Sequence, residues 1–396
     1  MNTSPSLIQC MLVPLLLVAS IAVAAPFVPS SDSAVLEQLP FRPGDPLARE
    51  LKQLRAEWQR NPRDPEAAVR LARRYYDQVG EDGDPRYLGY AQAALAPWWT
   101  MENPPAEVLV MRASLRQFLH DFSGAVQDLD RVLQRDPNHE QARSLRATIH
   151  IVQARYAQAR ADCEELHGVA TELIAMGCEA MVDGLTGKAA SAYDRLAATY
   201  DASDSASPAQ RLWVLIRLAE LAQRLGRNEV AEARFKQALA LGISDTFLLA
   251  AYADFLLDRN RPRETIDLLK DKIRSDTLLL RLVFAERAAK APNAADRQAT
   301  LAARFRAAQL RGDTVHQQEE ARFALQVQND PQKALALSQE NWTVQREPRD
   351  ARIFMESAIA AKDASAAGPV LQWMAENGIE DRYLISLAQQ LKGMKQ

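Results

Sequence analysis

Apolar residues recur along this chain at intervals of three and four, and short polar turns interrupt them. The clearest stretch runs from Leu212 to Asp245. Leu212, Leu215, Leu218, Ala219 and Ala222 fall on one helical face, and Gly226-Arg227-Asn228 breaks the pattern. Val230, Ala231, Ala233, Phe235, Ala238, Leu239 and Leu241 then resume it. Two helices joined by so tight a turn cannot bury their own apolar faces, so each hairpin needs a neighbour on both sides.

The rest of the chain supplies those neighbours. Pro46 opens a helix with Leu47, Leu51, Leu54 and Trp58 on one face, ending near Asn61-Pro62. A helix from Pro65 to Val79 carries Leu71, Ala72 and Tyr75. An expanded turn, Gly80 to Pro85, separates it from a second helix over Arg86 to Ala96. Ala106 to His139 is a complete unit, with Ala113, Ala125 and Leu129 as packing positions and Asp136-Pro137-Asn138 as its terminator. Glu140 to Leu166, Ala170 to Tyr200 and Thr246 to Leu279 repeat the pattern. Beyond Leu279 it drifts through Leu278 to Arg311, Val315 to Glu347 and Pro348 to Gly378. A last amphipathic helix, Asp381 to Lys392, suits a polar-backed cap. Strand-like alternation is missing, and Ala, Leu, Gln, Glu and Arg dominate, so the fold class predicted is all-α.

The small residue at Ala219, Gly226 before the turn, Ala231, the aromatic Phe235 and small Ala238 resemble a tetratricopeptide repeat. So do Leu71-Ala72-x2-Tyr75 and the Asp136-Pro137-Asn138 terminator. The match is good over residues 46–279 and degenerate over 280–396. The resemblance implies a right-handed superhelical solenoid of about eight or nine antiparallel helix pairs, whose first helices line a concave face. It places Arg73, Tyr76, Gln117, Phe118, Trp213, Glu220, Arg224, Phe247 and Asp254 on that face, together with Val110, Ser114 and Ile216. Aromatic anchors beside arginines are what a protein interface uses. The Lys, Asn and Arg clamp by which some such repeats hold an acidic peptide tail is not reproduced.

Composition narrows the function. A net charge of −3 gives no bulk attraction to nucleic acid. Leu12 to Ala25 is apolar but too short for a comfortable membrane span, and Ala22-Val23-Ala24 offers the small residues of an export cleavage site. The expectation is a signal segment at 1–24 that discards Cys10, despite an n-region without Lys or Arg, and a loose leader at 25–45. The mature chain would then work in the periplasm without stable membrane insertion.

Cys163 and Cys178 remain after such cleavage, in the second helix of one hairpin and the first helix of the next. A stapling disulfide, two buried thiols, or a soft-metal site completed by His167 are the readings open to them. Gly184 to Ala189 lacks the spacing, the hydroxyl residue and the preceding strand of a phosphate loop. Asn341-Trp342-Thr343 fits the glycosylation pattern by chance alone. No catalytic arrangement or cofactor motif appears. The expectation is a non-catalytic scaffold or adaptor for a protein partner in the cell envelope. The alternatives are an accessory subunit of a polysaccharide-export or assembly machine, or a metal-handling protein.

Overall fold

The structure, a computed structural model, describes residues 44–313 and 315–394. The expected signal segment and nearly all of the leader lie outside the described residues. A first helix, α1 (Pro46–Arg60), is followed by nine hairpins among those residues. They are α2 (Pro65–Asp82) with α3 (Arg86–Ala94), α4 (Ala106–Phe118) with α5 (Phe122–Arg135), and α6 (Glu140–Val152) with α7 (Tyr156–Glu164). Next come α8 (Glu172–Asp183) with α9 (Ala189–Asp201), α10 (Pro208–Arg224) with α11 (Asn228–Ala240), and α12 (Thr246–Asp258) with α13 (Pro262–Leu269). The last three are α14 (Asp276–Ala288) with α15 (Ala294–Leu310), α16 (Gln317–Phe323) with α17 (Pro331–Val344), and α18 (Pro348–Ala360) with α19 (Gly368–Asn377). A π-helical stretch, Ala324–Gln328, extends α16, and α20 (Arg382–Gly393) ends the series.

The hairpin α10–α11 shows why the sequence folds this way. Ser207 and Gln210 form a reciprocal capping box, and Pro208 occupies the first turn, where its missing N–H costs nothing. Ala219 and Ala222 on α10 and Ala231 and Ala238 on α11 are fully buried, so the two backbones approach closely around the Phe235 ring. Gly226 ends α10 in the left-handed region at φ 72°, and the Arg227 N–H returns to the Ala222 carbonyl at 2.8 Å. The same return bond closes other turns: Asp121 to Arg116 at 2.8 Å, Arg155 to His150 at 2.7 Å, Arg261 to Leu256 at 3.0 Å and Ala291 to Glu286 at 2.8 Å. The left-handed residue in those turns is not glycine but His120, Ala154, Asn260 and Lys290.

First helices pack side by side, α2 on α4 and onward to α18 on α20, while second helices fill the spaces behind them. Successive pairs also wind, and the winding brings later turns of the solenoid against earlier ones. Ser244, just before α12, donates its hydroxyl to the Glu81 carbonyl at 3.0 Å, across 163 residues of sequence. Arg274 stands 3.8 Å from Asp82, and the chain at Gly83 presses on Ser275. Farther along, the Arg346 N–H donates to the Val152 carbonyl at 2.7 Å. The Trp373 indole donates to the Tyr156 hydroxyl at 3.1 Å, across 217 residues, and the Ala189 N–H donates to Glu380 at 2.6 Å. Here the seam is dry. Ile151, Cys163 and Val182 share one buried apolar cluster with Trp342, Phe354, Val370 and Trp373.

Helix α20 packs by one face. Leu384, Leu387 and Leu391 are buried in that same cluster, and Arg382 lies over the Gly226 turn. The helix packs this apolar face on α18 and the preceding turn of the solenoid, and leaves Gln389, Gln390 and Lys392 exposed on its back.

Cys163 and Cys178 form a disulfide between α7 and α8, with Cα atoms 5.4 Å apart. Both sulfurs are therefore consumed, which leaves neither free thiols nor a thiolate for a metal. His167 instead lies between Glu179 and Glu172, each 3.0 Å from a ring nitrogen, and both carboxylates raise its pKa. Asn341 is buried and donates to Asp350 at 3.0 Å, so it offers no accessible glycan acceptor. The Gly184 to Ala189 stretch is the turn between α8 and α9. None of the described helices is long and apolar enough to cross a membrane.

Candidate binding cavity

The inner faces of the first helices converge on one cavity of about 960 Å³. On α10 the residues that reach it, Trp213, Arg217, Glu220 and Arg224, are spaced four, three and four apart, which is one stripe of a helix. On α12 Phe247, Ala251, Asp254 and Asp258 repeat that spacing, and on α18 Arg349, Arg352 and Glu356 do so again.

The cavity has two unlike walls. Helices α2 to α10 contribute Tyr76, Val79, Phe118, Ile151, Met181 and Trp213. Tyr76 and Phe118 meet edge to face with centroids 6.4 Å apart. Trp213 lies flat enough on α8 that a Cβ at Gly177 would come within 2.2 Å of its ring, so only glycine fits there.

Helices α12 to α20 contribute charge. Asp254 accepts from Arg281 at 2.7 Å and from Arg322 at 2.9 Å. Burial alone would raise its carboxyl, but the two guanidiniums hold it well below the usual carboxylate range. Arg352 grips Asp258 with two bonds of 2.8 Å and Glu356 with one of 2.9 Å. Its guanidinium also lies 4.2 Å from the Tyr383 ring centroid. Burial pushes the Tyr383 hydroxyl up to about 12, and it donates to Glu356 at 2.8 Å. Between the walls, Phe247 carries Arg217 at 4.8 Å and Arg349 at 5.7 Å over its ring. Arg217 is paired with Glu220 at 3.0 Å, and Arg349 with Glu347 at 2.5 Å.

Of the residues placed on the concave face by sequence, Tyr76, Gln117, Phe118, Trp213, Glu220, Arg224, Phe247 and Asp254 all line this cavity. Arg73 does not: it is exposed outside the cavity and donates to Gln141 on α6 at 3.4 Å. Val110, Ser114 and Ile216 are buried between helices, because neighbouring first helices pack closely enough to cover those positions. Sequence reasoning missed Arg281, Arg322, Arg349, Arg352, Glu356 and Tyr383. A signal was present in the three- and four-residue spacing of Arg349, Arg352 and Glu356, but the repeat pattern that would have oriented the stripe has faded there.

The arrangement is suited to holding a ligand. Arg217, Arg281, Arg322, Arg349 and Arg352 are each tied to a carboxylate, and the Tyr383 hydroxyl rests on one of these, Glu356.

No protein-family model matches the sequence, and no curated protein matches it. Solved structures do resemble it. A tetratricopeptide repeat protein from Parabacteroides merdae is 17% identical, with 60% of this chain and 92% of that chain covered, at a TM-score of 0.44. The hetero-tetramer Cut9–Hcn1 of the APC/C is 12% identical over 88% of this chain and 81% of that one, at 0.37. The tetratricopeptide domain of P58(IPK) is 14% identical over 88% and 93%, at 0.22. On the geometry of its own hairpins, with small residues at the crossings, left-handed turns and first helices inside, the fold is a solenoid of tetratricopeptide type.

Proposed function

We propose that this chain is a non-catalytic binding protein that takes a short segment of a protein partner into the cavity enclosed by its solenoid. The observation that carries the reading is the convergence of first-helix residues from α2 to α20 on one space of about 960 Å³. That volume lies at the upper end for small-ligand sites, so it fits a segment of a few residues and not a folded domain. The walls are built on helices packed to both sides, so the receptor loses little conformational freedom on binding. The Cys163–Cys178 disulfide supports an oxidising compartment, the cell envelope, as the working location.

A photo-crosslinking residue placed at Thr148, which lines the cavity, tests this against one placed at Lys236, which is exposed on the outer helix α11. The expected result in cells is a crosslink from position 148 that maps to one contiguous stretch of fewer than about ten residues in a single protein. Position 236 should give none. Crosslinks scattered over many proteins, or equal from the two positions, would exclude the cavity as the binding site.

A further inference from the structure

Three side-chain amides on the first helices stand without a bonding partner. Gln117 on α4, Gln223 on α10 and Gln318 on α16 all line the cavity, and none of these side chains is hydrogen-bonded among the described residues. Gln318 is the sharpest case. It is only 4% exposed, yet its amide is not sealed into the protein, so the amide opens to the cavity that it lines. An amide held out of bulk water with no partner costs free energy on its donor side and on its acceptor side. The charged groups of the lining offer one kind of bond each: guanidiniums only donate and carboxylates only accept. A glutamine amide does both from one planar group, and so does the main chain of a peptide. The two fit as a reciprocal pair, carbonyl to N–H and NH2 to carbonyl, the exchange that joins facing residues in an antiparallel sheet. A segment of fewer than about ten residues is shorter than the ~12–15 that an isolated helix needs in water. It therefore brings unpaired N–H and C=O groups into the cavity, and the protein must meet them. Val79, Ile151 and Met181 cannot, and the three glutamines can.

We infer that the segment binds extended and is held by its main chain, with Gln117, Gln223 and Gln318 each exchanging hydrogen bonds with the N–H and C=O of one residue. These bonds are the same for every sequence, so the side chains of the segment only adjust an affinity that its main chain supplies. This rests on the reading that the partner is a protein.

Selection of a displayed library of random octapeptides on the intact chain, run beside an array of neutral oligosaccharides, supplies the probe. A selected peptide is then remade with each backbone amide in turn replaced by an ester, which removes one N–H and weakens one carbonyl without adding bulk. The expected outcome is a loss of about tenfold at two or three positions and little change at the others. Gln318→Leu should weaken the parent peptide by a similar factor and erase the ester penalty at one of those positions. Gln223→Leu should erase it at a different one. Both variants are checked for a native thermal transition, and Gln223, which is only half-buried, keeps the test open if Gln318→Leu fails to fold. A peptide whose binding no ester disturbs, or whose ester penalties survive substitution of these glutamines, overturns the inference and leaves the protein-segment reading standing. Failure to enrich any peptide, with or without binding of an oligosaccharide, overturns the protein-segment reading itself.

Discussion

Where later turns of the solenoid meet earlier ones, the two ends of the contact differ in kind. At the α2 end it includes the packing of α12 against α2, the Ser244–Glu81 hydrogen bond, the exposed Arg274–Asp82 pair and the close approach of Gly83 to Ser275. At the α18–α20 end it consists of buried tryptophans, leucines and the Trp373–Tyr156 bond. Exposed pairs of the first sort contribute little, roughly 0–1 kcal/mol each. Buried aromatic packing of the second sort contributes several times that. The α18–α20 end is therefore expected to resist separation more than the α2 end.

The comparison breaks most readily at Trp373. Its ring meets Trp342 edge to face at 5.4 Å, and its indole N–H is bound to Tyr156. Trp373→Ala should cost ~3–5 kcal/mol and lower the thermal midpoint of the whole chain. A loss below ~1 kcal/mol in a denaturant titration would mean the dry end does not hold the cavity's shape.

Second in size is the disulfide, which lies in the same apolar cluster. Cys163→Ala with Cys178→Ala opens a loop of 15 residues and should destabilise by ~3 kcal/mol. Urea midpoints of the parent and the double variant check it. An unchanged midpoint would show that α7 and α8 are held by packing alone.

The smallest effect belongs to the polar end. Gly83 has φ 69°, and a Cβ there would fall 2.3 Å from that of Ser275. Gly83→Ala should cost ~1–3 kcal/mol, paid locally. Hydrogen exchange is expected to quicken at residues 79–83 and 275–279 while α18 to α20 stay protected. Equal loosening of both ends would contradict the division of roles.

The hairpins between residues 46 and 279 were legible because leucines and alanines keep one stripe through each helix and because Pro46 and Gly226 mark real boundaries. The turns at His120, Ala154 and Lys290 carry no such mark, yet they adopt the backbone of Gly226 because the return hydrogen bond and the packed helices on both sides impose it. The inner faces of α4, α10 and α12 were legible for the same reason as the hairpins. What could not be read was the pitch of the winding, a sum of small rotations at each pair that no single residue encodes. Arg349, Arg352 and Tyr383 face Asp258 and Phe247 because of that pitch, so of the charged wall only Asp254 was placed from sequence. Arg73 failed for a smaller reason: a long side chain in solvent found Gln141 and stayed outside.

A solenoid whose repeats touch only their immediate neighbours can gain or lose units at its ends, and its stability is a sum along one dimension. Bonds that reach across 163, 191 and 217 residues end that freedom here. Removing the last hairpin and α20 would strip the cover from α6 to α8, so cooperative melting is expected in place of repeat-by-repeat loss. Folding slow for an all-helical protein is expected as well, because contacts across such separations close very long loops.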